Sequence, residues 1–218
     1  MSELYHLVRP PREASERPPV LMFLHGYGSN EEDLFGLAEE FSPRFFVISV
    51  RAPLTLGPGS FAWFPVEFTP DGLLADENSA LNSRELLETF LTSLPDRYGT
   101  DPNRVLAAGF SQGAIMAASV ALASPESLSA AALMSGRILS SSVSAAAPLS
   151  RLSKISYLIV HGTRDRVLPI AHGRQARQAL EALGIHPDYE EFEMEHTISD
   201  ESLARVTTWS RRWLENNL

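Results

Sequence analysis

Gly109-Phe110-Ser111-Gln112-Gly113 sets a serine between two glycines, after the apolar run Val105 to Phe110 and before a helical run, Ala114 to Ala123. A serine at so sharp a strand-to-helix turn stands clear of the backbone, and the flanking glycines remove side chains that would collide with the neighbouring elements. The Gln112 amide then opens a helix, where unpaired N–H groups and the helix dipole favour negative charge. This is the arrangement of a nucleophile for acyl transfer. A glycine-rich turn whose serine merely caps the helix is the plainer reading, and the placement between strand and helix argues against it.

A serine hydroxyl attacks poorly unless a base takes its proton, and the base must be oriented by a carboxylate. On this turn the partners follow in the order acid, then histidine. His161-Gly162-Thr163-Arg164-Asp165-Arg166-Val167-Leu168-Pro169 comes after the apolar run Ile155 to Val160, which places Asp165 in a loop beyond a strand's carboxyl end. The alternative for Asp165 is a helix cap or an ion pair with Arg164 or Arg166. Of the later histidines, His172 falls in the helical run Ala171 to Leu183. His186 precedes Pro187 at the start of a strand, whereas His196 follows the strand Asp188 to Met194 and is the better base.

An oxyanion needs a second donor, taken from a loop after an early strand. Leu24-His25-Gly26-Tyr27-Gly28 is such a loop, with the Tyr27 amide as the donor and His25 as a brace for the loop.

The elements that must hold these residues read as alternating strands and helices. Val20 to Leu24, Phe45 to Val50, Val105 to Phe110, Leu128 to Met134 and Ile155 to Val160 are unbroken apolar runs, the signature of parallel strands covered on both faces. Between them, spacings such as Leu87, Phe90, Leu91 and Leu94 give helices one apolar stripe. The expected fold is α/β, a mostly parallel central sheet with helices on both faces and no large lid domain. Residues 1–218 are expected to form one domain, with 1–18 as an extended N-terminal segment. Ser140 to Ala147 reads as a solvent loop. Arg51 to Asp76, rich in proline and glycine and carrying Trp63-Phe64, reads as a long loop of functional use.

Composition narrows the chemistry. A net charge of −9 over 218 residues disfavours nucleic acid and anionic lipid surfaces. With no cysteine there is no disulfide, thiolate nucleophile or thiolate metal site. The first nineteen residues lack the apolar run of a signal peptide, and no stretch has the length of a membrane span, so a cytoplasmic protein without stable membrane insertion is expected. There is no His-Glu-x-x-His helix and no phosphate loop, so no metal or cofactor is expected.

On these motifs, taken in order with His196, the chain resembles the phospholipase/carboxylesterase family of α/β-hydrolases, which includes acyl-protein thioesterases and small bacterial carboxylesterases. The likeness runs from Val20 onward. It implies Ser111, Asp165 and His196 as a catalytic triad, and Tyr27 and Gln112 as oxyanion amides. It also implies Trp63, Phe64, Val167 and Leu168 as substrate-binding residues. Two positions depart from the family pattern: Glu195 stands where glycine usually precedes the histidine, and Ala62-Trp63-Phe64-Pro65 replaces a segment with serine before the pair and aspartate after it. The expected activity is hydrolysis of short to medium, uncharged carboxylic esters through an acyl-enzyme, because no insertion is long enough for a large lid and Trp63, Phe64, Val167 and Leu168 suit an open apolar cleft. The expected partner is a small-molecule ester and the working form a monomer or homodimer. The alternatives are a thioesterase or lysophospholipase with longer acyl preference, and a non-catalytic binding protein on the same scaffold.

Overall fold

The computed structural model describes residues 4–69 and 72–217. In chain order the elements are β1 (His6–Arg9), β2 (Val20–Leu24), α1 (Glu31–Phe35), β3 (Phe46–Val50), β4 (Leu54–Gly57), β5 (Ser60–Ala62), β6 (Val66–Thr69), β7 (Gly72–Ala75) and α2 (Glu77–Tyr98). They continue with β8 (Val105–Phe110), α3 (Gln112–Ala123), β9 (Ala130–Met134), α4 (Ser140–Ser144), α5 (Leu149–Leu152), β10 (Ser156–Gly162), α6 (Ala171–Ala182), β11 (Asp188–Phe192) and α7 (Asp200–Asn216).

Seven strands form the central sheet in the order β1-β3-β2-β8-β9-β10-β11. Every neighbouring pair is parallel except β1 against β3. Successive side chains of a strand point to opposite faces, and the apolar runs therefore feed two cores. Val20, Met22 and Leu24 join the core under α2, α3 and α6. Leu21 and Phe23 join the one under α1 and α7, where Val206, Trp209 and Trp213 pack. The chain leaves β2 toward one edge of the sheet and returns to β8 on its other side, so a crevice opens between the carboxyl ends of β2 and β8.

The N-terminal segment contributes more than an extended arm, because β1 closes the β3 edge of the sheet. The stretch expected as one long loop, 51–76, holds two hairpins, β4–β5 and β6–β7. The first is tied to the loop after β2, where the Gly28 amide donates to the Phe61 carbonyl at 2.8 Å and the Phe61 amide donates to that of Ser29 at 2.9 Å. The solvent loop expected over Ser140 to Ala147 is corrected: it begins with the short helix α4, with Ser142 buried. Its Ser141 amide donates to the Glu77 carboxylate at 2.9 Å, which satisfies an N–H that the first turn leaves open.

Candidate active site

Ser111 stands between β8 and α3 with φ 53° and ψ −115°, a strained conformation for a residue bearing a side chain. Its neighbours have no room for one. A Cβ on Gly109 would lie 2.3 Å from the Gly113 carbonyl oxygen, and a Cβ on Gly113 would lie 1.9 Å from that of Leu24. The turn therefore folds only with glycine at both places, and β2, β8 and α3 press it into shape.

Three side chains from separate loops meet here. His196 Nε2 lies 2.9 Å from Ser111 Oγ, and His196 Nδ1 lies 2.6 Å from Asp165 Oδ2. An ionised carboxylate only accepts, so Nδ1 carries the proton and donates to Asp165, leaving Nε2 to accept the serine hydroxyl. The other carboxylate oxygen, Oδ1, accepts the amides of Val167 at 2.9 Å and Leu168 at 2.8 Å. Burial would push the Asp165 carboxyl up. The hydrogen bond from His196 and those two amides outweigh burial and hold the group below its ordinary value.

The loops carrying Asp165 and His196 are pinned to each other. Beyond the last paired residues of β10 and β11, the Thr163 amide donates to the Phe192 carbonyl at 2.8 Å and the Arg164 amide donates to that of Met194 at 3.1 Å. A Cβ on Gly162 would come within 2.4 Å of the Met194 carbonyl, so this approach needs glycine there. Glu195, which replaces the family's glycine, has no positive φ and is exposed; the turn into His196 does not demand glycine in this chain. The Phe110 ring lies 4.9 Å from the His196 ring, centroid to centroid, and limits its swing.

A cleft of about 150 Å³ opens in front of Ser111 and His196. Phe64, Val66, Ile115 and Leu168 give it apolar walls, and the exposed Tyr27 and Val167 flank it. Gln112 is the first residue of α3, so its amide has no acceptor within the helix. Tyr27 lines the cleft from the loop after β2. Among the residues expected to bind substrate, Phe64, Val167 and Leu168 reach the cleft. Trp63 does not line it: its side chain is fully buried, and its Nε1–H donates to the His25 carbonyl at 2.9 Å.

Several residues carry the geometry without having announced themselves. The Gln112 side chain accepts the Trp63 amide at 2.7 Å and donates to the Phe64 carbonyl at 2.7 Å, while the Ser83 hydroxyl donates to the Trp63 carbonyl. His161 is buried behind Asp165, donating through Nε2 to the Leu168 carbonyl at 2.7 Å with that nitrogen 3.5 Å from Asp165 Oδ2. Burial pulls its pKa down, against the pull of that bond and of Asp165. His25 is the brace expected of it: Nδ1–H donates to the Gly26 carbonyl at 2.7 Å and Nε2 accepts the Ala52 amide at 3.0 Å. The histidine-glycine pair, read for His25, could have flagged His161 as well; nothing in local sequence flags the Gln112 side chain.

Residues 7–214 match the Phospholipase/Carboxylesterase family. The chain belongs to that family. Carboxylesterase SOBER1 of Arabidopsis thaliana is 28% identical over 209 residues, 90% of this chain and 91% of that protein. The putative hydrolase MhqD of Bacillus subtilis is 32% identical over a shorter stretch of 101 residues, 46% of this chain and 48% of that protein. The solved structure of esterase PE8 superposes with a TM-score of 0.84 at 28% identity, over 97% of this chain and 99% of that one. This member of the family is therefore an α/β-hydrolase of carboxylesterase kind. Among its described residues no helix is long and apolar enough to cross a membrane, and no group of three or more His, Asp or Glu could hold a metal ion.

Proposed function

We propose that the protein is a serine carboxylesterase, acting on short to medium chain carboxylic esters through an acyl-enzyme formed on Ser111. The observation that carries this reading is the unbroken hydrogen-bonded chain Ser111–His196–Asp165 at the strained turn before α3. Ser111 Oγ attacks the acyl carbon as its proton passes to His196 Nε2, and Asp165 stabilises the imidazolium that results. The carbonyl oxygen becomes an oxyanion and accepts from the Gln112 and Tyr27 amides, the former with the α3 dipole behind it. Collapse expels the alcohol oxygen, which takes the proton from Nε2. Water then attacks the acyl-enzyme, gives its proton to Nε2, and the acid leaves as Oγ recovers a proton. The cycle closes without metal or cofactor.

Size argues for the acyl range. The cleft volume of about 150 Å³ falls below the roughly 300 Å³ at which sites for drug-sized ligands begin, and an acyl chain of many carbons would run out past Val167. The test is a series of p-nitrophenyl esters from about two to sixteen carbons with matched thioesters. A maximum of kcat/KM at short or medium length supports the reading. A steady rise to the longest chain, or palmitoyl thioesters cleaved far faster than butyrate esters, replaces it with the thioesterase branch. Failure of Ser111 to label with a fluorophosphonate removes catalysis altogether.

A further inference from the structure

Behind the hairpin β6–β7 lies a second cavity, of about 420 Å³, with Arg137 in its wall. Two elements contribute to the walls of both this cavity and the Ser111 cleft. Val66 lines the cleft and its cross-strand partner Ala75 lines the second cavity, so the hairpin borders both. Leu168 lines the cleft and His172, four residues on, lines the second cavity. Arg137, which follows β9, is also held close to the nucleophile turn by the residue before it. Ser135 takes φ 48° at the end of β9, and Gly136 packs so closely that a Cβ there would lie 2.5 Å from that of Ala114 and 3.3 Å from the Ser111 carbonyl oxygen.

The guanidinium has one buried donor unmet, although the Glu77 carboxylate attracts it across the cavity. Arg137 Nε is buried without an acceptor, and the side chain forms no hydrogen bond or ion pair with any described residue. Among the described residues, Glu77 is the one carboxylate in the cavity wall. It is committed elsewhere, accepting the Ser140 hydroxyl at 3.0 Å and the Ser141 amide at 2.9 Å. His172 is held toward its neutral form by burial and by the charge of Arg137. An arginine offers five donors in a rigid fork; leaving Nε buried and unpaired is costly unless a ligand supplies an acceptor, and the less buried end of the fork is open to the same ligand.

We propose that Arg137 is the anchor of a substrate subsite, and that the preferred esters carry a carboxylate on the part remote from the reacting carbonyl, as half-esters of dicarboxylic acids do. The proposal rests on the esterase reading of Ser111 and names the substrate class of that site. The global negative charge does not oppose it, because recognition is decided by the local cation. A carboxylate suits the cavity better than a phosphate monoester, whose second charge would face Glu77.

The first measurement compares p-nitrophenyl half-esters of succinate, glutarate and adipate with uncharged p-nitrophenyl esters of matching length, in the native chain and in Arg137→Met and Arg137→Lys. Loss of a charge-assisted, forked pair should lower kcat/KM for the best half-ester about ten- to a hundredfold in Arg137→Met, chiefly through KM. The uncharged ester should stay within about threefold, and Arg137→Lys should recover part of the loss by supplying charge without the fork. Equal losses on charged and uncharged esters, or no preference for any half-ester over its uncharged match, overturn the proposal while leaving the esterase reading standing. The second measurement needs no turnover: glutarate and inorganic phosphate are titrated into Ser111→Ala by calorimetry. Glutarate binding that vanishes in Ser111→Ala/Arg137→Met is the expected result. Phosphate binding in preference to glutarate, or glutarate binding indifferent to Arg137, overturns the assignment.

Discussion

The Gln112 side chain clasps Trp63 by accepting its amide at 2.7 Å, and the same side chain donates at 2.7 Å to the Phe64 carbonyl. In the proposed mechanism residue 112 serves the site twice, its backbone N–H for the oxyanion and its side chain for the segment that walls the cleft. Gln112→Ala keeps the first role and deletes the second, leaving a buried donor and a buried acceptor unmet. The expected cost is about 2–4 kcal/mol of stability, which for a chain of this length lowers Tm by roughly 5–15 °C. Thermal unfolding checks it, and kcat should fall less than tenfold if the backbone amide stays in place.

Trp63 and Phe64 should separate cleanly under mutation. Trp63 is fully buried among core residues, and truncation to alanine is expected to cost about 3–5 kcal/mol with little change in the ester-length profile of the surviving enzyme. Phe64 borders the cleft, so Phe64→Ala should shift the profile toward longer acyl chains as the wall recedes. The pair is visible in sequence as two aromatics in a proline- and glycine-punctuated stretch, but not which of them faces the substrate. That is decided by the Trp63 indole reaching the His25 carbonyl.

The same contrast holds more widely. The runs Val20–Leu24 and Val105–Phe110 were legible to the residue, because strands buried on both faces contain only apolar side chains. The edge strand β1 hides behind His6 and Arg9 in a proline-flanked, charged segment. The order serine, aspartate, histidine reveals three loops that the fold brings together. The Gln112 side chain, which meets Trp63 and Phe64, and Arg137 in its cavity have no periodicity and become visible only when distant elements are packed.

Ser111→Ala should abolish turnover, by about 10⁴ to 10⁶ in rate, with Tm unchanged or raised, since alanine keeps the Cβ and sheds only the hydroxyl. Gly113→Ala is the informative opposite. Its Cβ would sit 1.9 Å from the Leu24 carbonyl oxygen, so β2 and α3 would have to move apart and the fold itself should fail. Measuring soluble yield and circular dichroism for the two variants distinguishes loss of chemistry from loss of the scaffold.

Acid should weaken the fold before it reaches the carboxylates. Burial lowers the pKa of both His25 and His161, so in the folded chain they resist protons that the unfolded chain takes up near pH 6.5. Above that pH neither state carries the proton and the two groups contribute no pH dependence. As pH falls below it, the unfolded state binds more protons than the folded state, and stability drops by at most about 1.4 kcal/mol per pH unit for each histidine. Asp165, also held below its ordinary value, adds its own loss only at lower pH, in the carboxylate range. Urea midpoints measured on Ser111→Ala from pH 8 to pH 5 should therefore stay level and then decline below about pH 6.5. His161→Gln, which retains a side-chain amide able to donate to the Leu168 carbonyl, should make that decline shallower. A midpoint that stays flat down to pH 5 would mean that these two imidazoles accept protons as readily inside the fold as outside it.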